Sequence, residues 1–138
     1  MEVLVSEYAC AILARDGLLM LGRRSAHRRA YAGCWDVIGG KVEPGETVPM
    51  ALVRELGEEL GIVPTGFRPV ASLRDDDARG QGNAIYHFFL VTEWQGGMPA
   101  IRDDEHSELG WFSIEEACAL EALALAEYRS LFRSLAIA

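Results

Sequence analysis

The sequence is short of cysteine, of long apolar runs and of basic charge, and each shortage excludes something. Its three cysteines, Cys10, Cys34 and Cys118, are widely spaced and contain no Cys-x-x-Cys pair. They build neither a disulfide framework nor a thiolate metal knuckle, and they read as inert core fillers of a chain kept in a reducing cytoplasm. No apolar stretch approaches the roughly 20 residues needed to span a bilayer. The first eight residues carry Glu2 and Glu7 and no basic side chain, which is not the pattern of a secretory leader. With 21 acidic against 13 basic residues the net charge is −8. That argues against nucleic-acid duplexes and anionic membranes as partners, since both need basic surface to displace counterions. A small phosphorylated ligand stays compatible, because a metal ion inverts the sign of a local acidic site.

Repeats, low-complexity tracts and linkers are also missing, so the 138 residues, half of them hydrophobic, predict one domain over 1–138 with a core of its own. Residues 8–14 and 18–21 read as two apolar strands around the turn Arg15-Asp16-Gly17. A basic stretch follows, with Arg23, Arg24, His27, Arg28 and Arg29. Residues 35–38 make a short buried strand running into Gly39-Gly40. Further strands are expected at 67–73, 84–93 and 109–112, where aromatic and branched residues are dense. Residues 74–83, with Asp75, Asp76 and Asp77, read as a solvated loop. Ser113 and Glu116 have the spacing of a capping box for a helix through Leu120. A further helix over 121–137 would place Leu125, Tyr128, Leu131, Phe132 and Leu135 on one stripe. Intermixed strands and helices predict an α/β or α+β class.

The strongest helix signal is 47–61. Thr47 can cap its start, Pro49 is tolerated in its first turn, Gly61 suits a left-handed stop, and Pro64 enforces it. Leu52, Leu56 and Leu60, with Val53 beside them, form the stripe expected to face the core. At about 100° per residue, Glu55, Glu58 and Glu59 fall within an arc adjoining that stripe. Such crowding destabilises a helix, and glutamates near its C-terminal end oppose the macrodipole. A solvated acidic face is the ordinary use of a glutamate-rich helix. Here the carboxylates border the buried stripe, and a glycine-dense turn precedes them. Hard divalent cations take oxygen ligands of this kind, magnesium typically using one or two carboxylates plus phosphate oxygens.

From Gly40 to Ile62 the chain reads GKVEPGETVPMALVRELGEELGI. This run resembles the Nudix hydrolase signature, with Gly40, Glu46, Arg54, Glu55, Leu56, Glu58, Glu59, Gly61 and Ile62 at its fixed positions. The approach Gly33-Cys34-Trp35 into Gly39-Gly40-Lys41 is similar to the family's usual entry. Glu105-His106 and Trp111-Phe112 resemble its downstream segments. The resemblance implies an α/β/α sandwich around a mixed, partly parallel sheet.

The resemblance also implies a metal-dependent hydrolase that cleaves a pyrophosphate bond by water attack on phosphorus. Glu55, Glu58, Glu59, Glu105 and the Gly39 carbonyl would ligate Mg2+ or Mn2+, and one of these glutamates would act as general base. Arg54 would hold a neighbouring glutamate or Glu46 with its forked guanidinium. Arg23, Arg24, Arg28 and Lys41 are candidates to meet substrate phosphates. His27, His87 and His106 are too dispersed for a zinc site, and His87 reads as a core residue, as do Trp35, Tyr86 and Trp111.

Family members selective for ADP-ribose often carry a proline where this chain has Asp77-Ala78. Diadenosine polyphosphate hydrolases often carry a tyrosine near the position of Gly80. With both absent, a (deoxy)nucleoside triphosphate, converted to its monophosphate, is the modal substrate by elimination. ADP-ribose, nucleotide sugars and other nucleoside diphosphate derivatives are the alternatives, and a homodimer is the assembly left open. A silent ligand-binding version of the fold usually has eroded glutamates, and isopentenyl diphosphate isomerase departs from the signature. The intact signature disfavours both.

Overall fold

A computed structural model of the chain describes residues 5–76 and 83–137. Seven strands form one mixed sheet: β1 (Val5–Arg15), β2 (Leu18–Arg24), β3 (Trp35–Asp36), β4 (Ile38–Lys41), β5 (Val63–Asp75), β6 (Asn83–Gln95) and β7 (His106–Phe112). Three helices accompany them: α1 (Val48–Leu60), α2 (Ile114–Ala119) and α3 (Tyr128–Ser134). The central strand β1 pairs in parallel with β6 along Val5–Leu13, and antiparallel with β4 and then β2 along its other edge. Strand β5 adds outside β6, whereas β3 and β7 both add to β2.

Both faces of β1 are covered, so Ala9 to Ala14 are all buried and show no polar alternation. Cys10, Ile12 and Ala14 join the core under α2 and α3, together with Tyr86, Phe88, Tyr128 and Phe132. Ala9, Ala11 and Leu13 join a second core under α1, with Leu52, Leu56 and Leu60. This is the expected α/β/α sandwich around a partly parallel sheet.

Helix α1 begins where Thr47 accepts a bond from the Met50 amide and stops at Gly61, whose φ of 70° is left-handed. Ser113 and Glu116 close the capping box of α2. Several expectations need correction. Strands β1, β2, β5, β6 and β7 run further than expected, and Pro64 sits within β5. Val53 is 39% exposed, on the outer side of α1 with Met50, and so lies off the core stripe. The last helix is confined to α3. Residues 121–127 are not helical because their backbone is used by β3: the Trp35 amide donates to Ala122 O at 2.6 Å and the Ala124 amide to Trp35 O at 2.9 Å. Leu125, Tyr128, Leu131, Phe132 and Leu135 are nevertheless all buried, so the apolar spacing found the core without the continuous helix. Of the cysteines, Cys34 is only half-buried. His87 is half-buried as well, held between Glu7 Oε1 at 2.9 Å and Ser72 Oγ at 3.4 Å, and is not a core residue. Asp76 pairs with Arg74 at 3.0 Å, while Asp77, Ala78 and Gly80 lie outside the described residues.

Candidate active site

Arg54 organises one side of the site. Its Nε and Nη2 grip the two oxygens of Glu46 at 2.8 and 2.9 Å. Nη1 reaches Glu55 Oε1 at 2.8 Å and Glu58 Oε2 at 3.3 Å, and Nη2 also donates to Lys41 O at 3.0 Å. One guanidinium thus ties the first half of α1 to the strand that precedes it. The hydrogen bonds from Arg54 and from the Glu43 amide hold the Glu46 carboxyl down at about 2, and Glu46 in turn raises the Arg54 pKa. Glu55 presses against β4 so closely that a Cβ on Gly40 would overlap its carboxylate, and a Cβ on Gly39 would overlap Ala9 O. The glycine pair is therefore required by two close approaches. Burial pushes the Glu55 pKa up, against the pull of Arg54.

Glu58 and Glu59 are chain neighbours with opposite surroundings. The Glu58 side chain is 59% exposed. Glu59 is 2% exposed, and neither carboxylate oxygen has a hydrogen-bond partner among the described residues. Burial first, then the Glu105 and Glu55 carboxylates, push its pKa up to about 11. Glu105 is shifted down, chiefly by its apposition to Glu59 and then by Arg28. The two carboxyls thus compete for one proton, Glu59 the more basic.

Glu105 arrives from the segment that docks on the end of α1. The Arg102 amide donates to Glu59 O at 3.0 Å, the Ala100 amide to Leu60 O at 3.3 Å, and a Cβ on Gly61 would overlap the Arg102 guanidinium. These bonds satisfy carbonyls left open at a helix end. The basic stretch clamps the same segment from the other side. Ser25 donates from N to Glu105 O at 2.9 Å and from Oγ to Asp104 O at 2.7 Å, and Arg28 approaches Glu105 Oε2 at 3.6 Å. One ligand atom each from Glu59, Glu105 and His106 lie within 4.8 Å of one another. His106 is buried, which lowers its pKa and favours the neutral imidazole.

A cleft of about 170 Å³ opens beside this group, lined by the cations Arg24, Arg28 and Lys41, the carboxylates Glu55 and Glu105, and Gly39, Gly40 and His106. Of the expected site residues, Arg23 is not brought here. It faces outward, pairing with Glu108 at 3.2 Å and Gly33 O at 3.0 Å, because successive strand residues point to opposite faces and Arg24 takes the inward position. Arg54, Glu58 and Glu59 stand outside the cleft lining. Tyr8, which also lines the cleft, and the buried Asp36 behind Arg24 were not anticipated. A lone acid in the apolar run 35–38 is the signal that could have singled out Asp36, since an aspartate is seldom fully buried without a partner.

The chain was compared with known proteins. A family model described as the NUDIX domain matches residues 5–135. The chain is 43% identical over 112 residues to the CTP pyrophosphohydrolase of Escherichia coli K12, covering 80% of this chain and 78% of that protein. It is 33% identical over 118 residues to the nucleoside triphosphatase NudI of Salmonella paratyphi B, covering 78% and 81%. Among solved structures it resembles a MutT NUDIX hydrolase from Burkholderia pseudomallei, with a TM-score of 0.83 and 28% identity over 96% of this chain and 99% of that one. The E. coli ORF135 protein matches with a TM-score of 0.79 and 37% identity over 96% and 89%.

Proposed function

The chain belongs to the Nudix hydrolase family, and on that premise we propose that it hydrolyses nucleoside triphosphates, water attacking phosphorus to release the monophosphate and pyrophosphate. The observation that carries the proposal is Glu59. Its carboxylate is buried with no hydrogen-bond partner among the described residues, and it lies beside Glu105, which lines a cleft together with Arg24, Arg28 and Lys41. An ionised carboxylate so placed is costly unless a cation joins it. The names of two relatives, a CTP pyrophosphohydrolase and a nucleoside triphosphatase, support the triphosphate reading.

The donor set fits Mg2+ or Mn2+. Its atoms are carboxylate oxygens with one imidazole, and the thiols of Cys10, Cys34 and Cys118 are no part of it, a composition suited to hard cations. Glu59, Glu105 and Glu55 would hold the ion, with the Gly39 carbonyl from β4 and Glu58 from the outer face of α1. Bound there, it supplies Lewis acidity toward phosphate oxygens and water. The chain's own groups do the rest. Arg24, Arg28 and Lys41 balance the triphosphate charge. Gly40, without a Cβ, leaves room for the close approach of Glu55, and Gly39 for that of β1. Glu55 and Glu105 are the carboxylates on the cleft wall, positioned to take the proton of the attacking water. Arg54 holds Glu55 in place. A reducing cytoplasm suits three cysteines this widely spaced.

A panel of nucleoside triphosphates, ADP-ribose, nucleotide sugars and dinucleoside polyphosphates, assayed with Mg2+ or Mn2+ and with products resolved, tests the reading. The expected result is monophosphate plus pyrophosphate from triphosphates. Orthophosphate release, or a preference for ADP-ribose, overturns it. Within that assay Glu105→Gln should depress kcat far more than KM, since its contribution is realised mainly in the transition state.

A further inference from the structure

Arg24 of the cleft lining leads into a chain of buried polar groups, of which Asp36 and Tyr128 have no part in the proposed chemistry. Arg24, Asp36 and Tyr128 are 5%, 3% and 1% exposed. The Tyr128 hydroxyl donates to Asp36 Oδ1, which also accepts from the Val37 amide at 2.8 Å. Asp36 Oδ2 accepts from Arg24 Nη1 at 3.2 Å, and Arg24 Nε donates to Ala30 O at 2.8 Å. The Tyr128 ring is itself clamped, edge-on to Phe88 at 5.9 Å and stacked on Phe132 at 5.6 Å. The hydroxyl therefore has a set position, given by the core under α3, and it sets the plane of the Asp36 carboxylate. That carboxylate in turn presents two anchored oxygens on the strand beside the cleft.

We propose that Tyr128, from the C-terminal helix, is a positioning residue for substrate binding: through Asp36 it orients the Arg24 guanidinium that faces the triphosphate. The inference rests on the assignment of Arg24 to the substrate phosphates. A tyrosine is suited to the task because its ring can be buried while its single polar tip reaches a partner. A guanidinium recognises phosphate by the direction of its planar fork, so loss of orientation costs affinity even when the charge remains. The Tyr128 bond ties the far-apart α3 to Asp36 and, through it, to Arg24.

Calorimetric titration with inorganic triphosphate and Mg2+ reads this without hydrolysis, alongside KM for nucleoside triphosphates. Tyr128→Phe keeps the ring packing and removes one buried hydrogen bond. It should weaken triphosphate binding and raise KM about three- to tenfold with kcat little changed. Mn2+ binding to the nucleotide-free protein should not move. Asp36→Asn, nearly isosteric, should weaken binding at least as much. Arg24→Lys should give the largest loss, and adding Tyr128→Phe to it should cost nothing further, because the tyrosine acts through the arginine. Wild-type binding by both Tyr128→Phe and Asp36→Asn overturns the inference, and so does full additivity of Tyr128→Phe with Arg24→Lys. A normal triphosphate affinity in Arg24→Lys instead removes the Arg24 assignment beneath it. Failure of the wild-type chain to hydrolyse any nucleotide overturns the proposed reaction while leaving the titration to judge the relay.

Discussion

Glu58 and Glu59 are adjacent on one helix, carry the same side chain and sit in opposite electrostatic worlds. Glu58 joins a hub in which Arg54 also satisfies Glu46 and Glu55. Glu59 points into the fold with neither oxygen hydrogen-bonded among the described residues, facing the Glu105 carboxylate. The first arrangement is already hydrogen-bonded through Arg54, and it holds α1 to β4. The second is unfinished. A buried carboxyl with no hydrogen-bond partner among the described residues, set against a second carboxylate, marks the place where a cation would complete the structure.

The most severe way to break this contrast is Glu59→Gln. Turnover should fall roughly 10²–10³-fold, while the metal-free protein should gain about 1–3 kcal/mol near neutral pH, because folding no longer has to protonate a carboxyl that is ionised in the unfolded chain. Activity assays with Mg2+ and urea melts in chelator check the two arms. A variant that loses activity and stability together would show that Glu59 is architectural. Glu58→Gln should also lower turnover, by about 10–100-fold, but with the opposite stability sign. It removes an exposed i,i+4 pair and should cost only about 0.3–0.5 kcal/mol.

Arg54→Met strands Glu46 and Glu55 together. Thermal melts should show a lowered Tm both with and without Mg2+, and turnover should drop about tenfold because Glu55 loses its support. Tm unchanged in chelator would deny the hub its structural role.

The comparison also extends to the pH dependence, where the two regions should slope in opposite directions. Glu59 has a folded pKa near 11, above the ordinary 4.5, so the native state binds its proton more tightly than the unfolded chain. Metal-free stability should therefore fall as pH rises above about 4.5, and this slope should vanish in Glu59→Gln. Glu46, held at about 2, contributes stability that is complete above about 4.5 and lost as pH falls toward 2. Mg2+ should displace the proton from Glu59, so its affinity should rise with pH. Chelator-treated melts at several pH values, and calorimetry in buffers of different ionisation heat, read both signs.

How much of this was legible without the fold depended on the range of the interactions involved. Helix α1 was readable with both its caps, because a capping threonine, a left-handed glycine and an apolar repeat act within a few residues. The break at 121–127 was not readable: its composition favours helix, and only pairing with Trp35, far away in the chain, overrides it. Arg23 and Arg24 looked equivalent because β2 was expected to end at Leu21. Once the strand continues to Arg24, its alternation sends one arginine out to Glu108 and the other inward to Asp36. His87 looked like a core residue within an apolar run, yet its strand position places it beside Glu7 and Ser72.

The amino-acid sequence by itself determined that three glutamates share one patch of one helix, since helical spacing is a local property. It also determined that two glycines precede that helix. Which glutamate would be stranded was decided only by tertiary structure. The segment carrying Arg102 and Glu105 docks on the C-terminal end of α1, bonding to the Glu59 and Leu60 carbonyls. That docking brings a second carboxylate against Glu59, while Arg54, on the other side of the helix patch, reaches Glu58 and not Glu59. Burial and the approach of like charges depend on what the rest of the chain places nearby, and no local spacing encodes them.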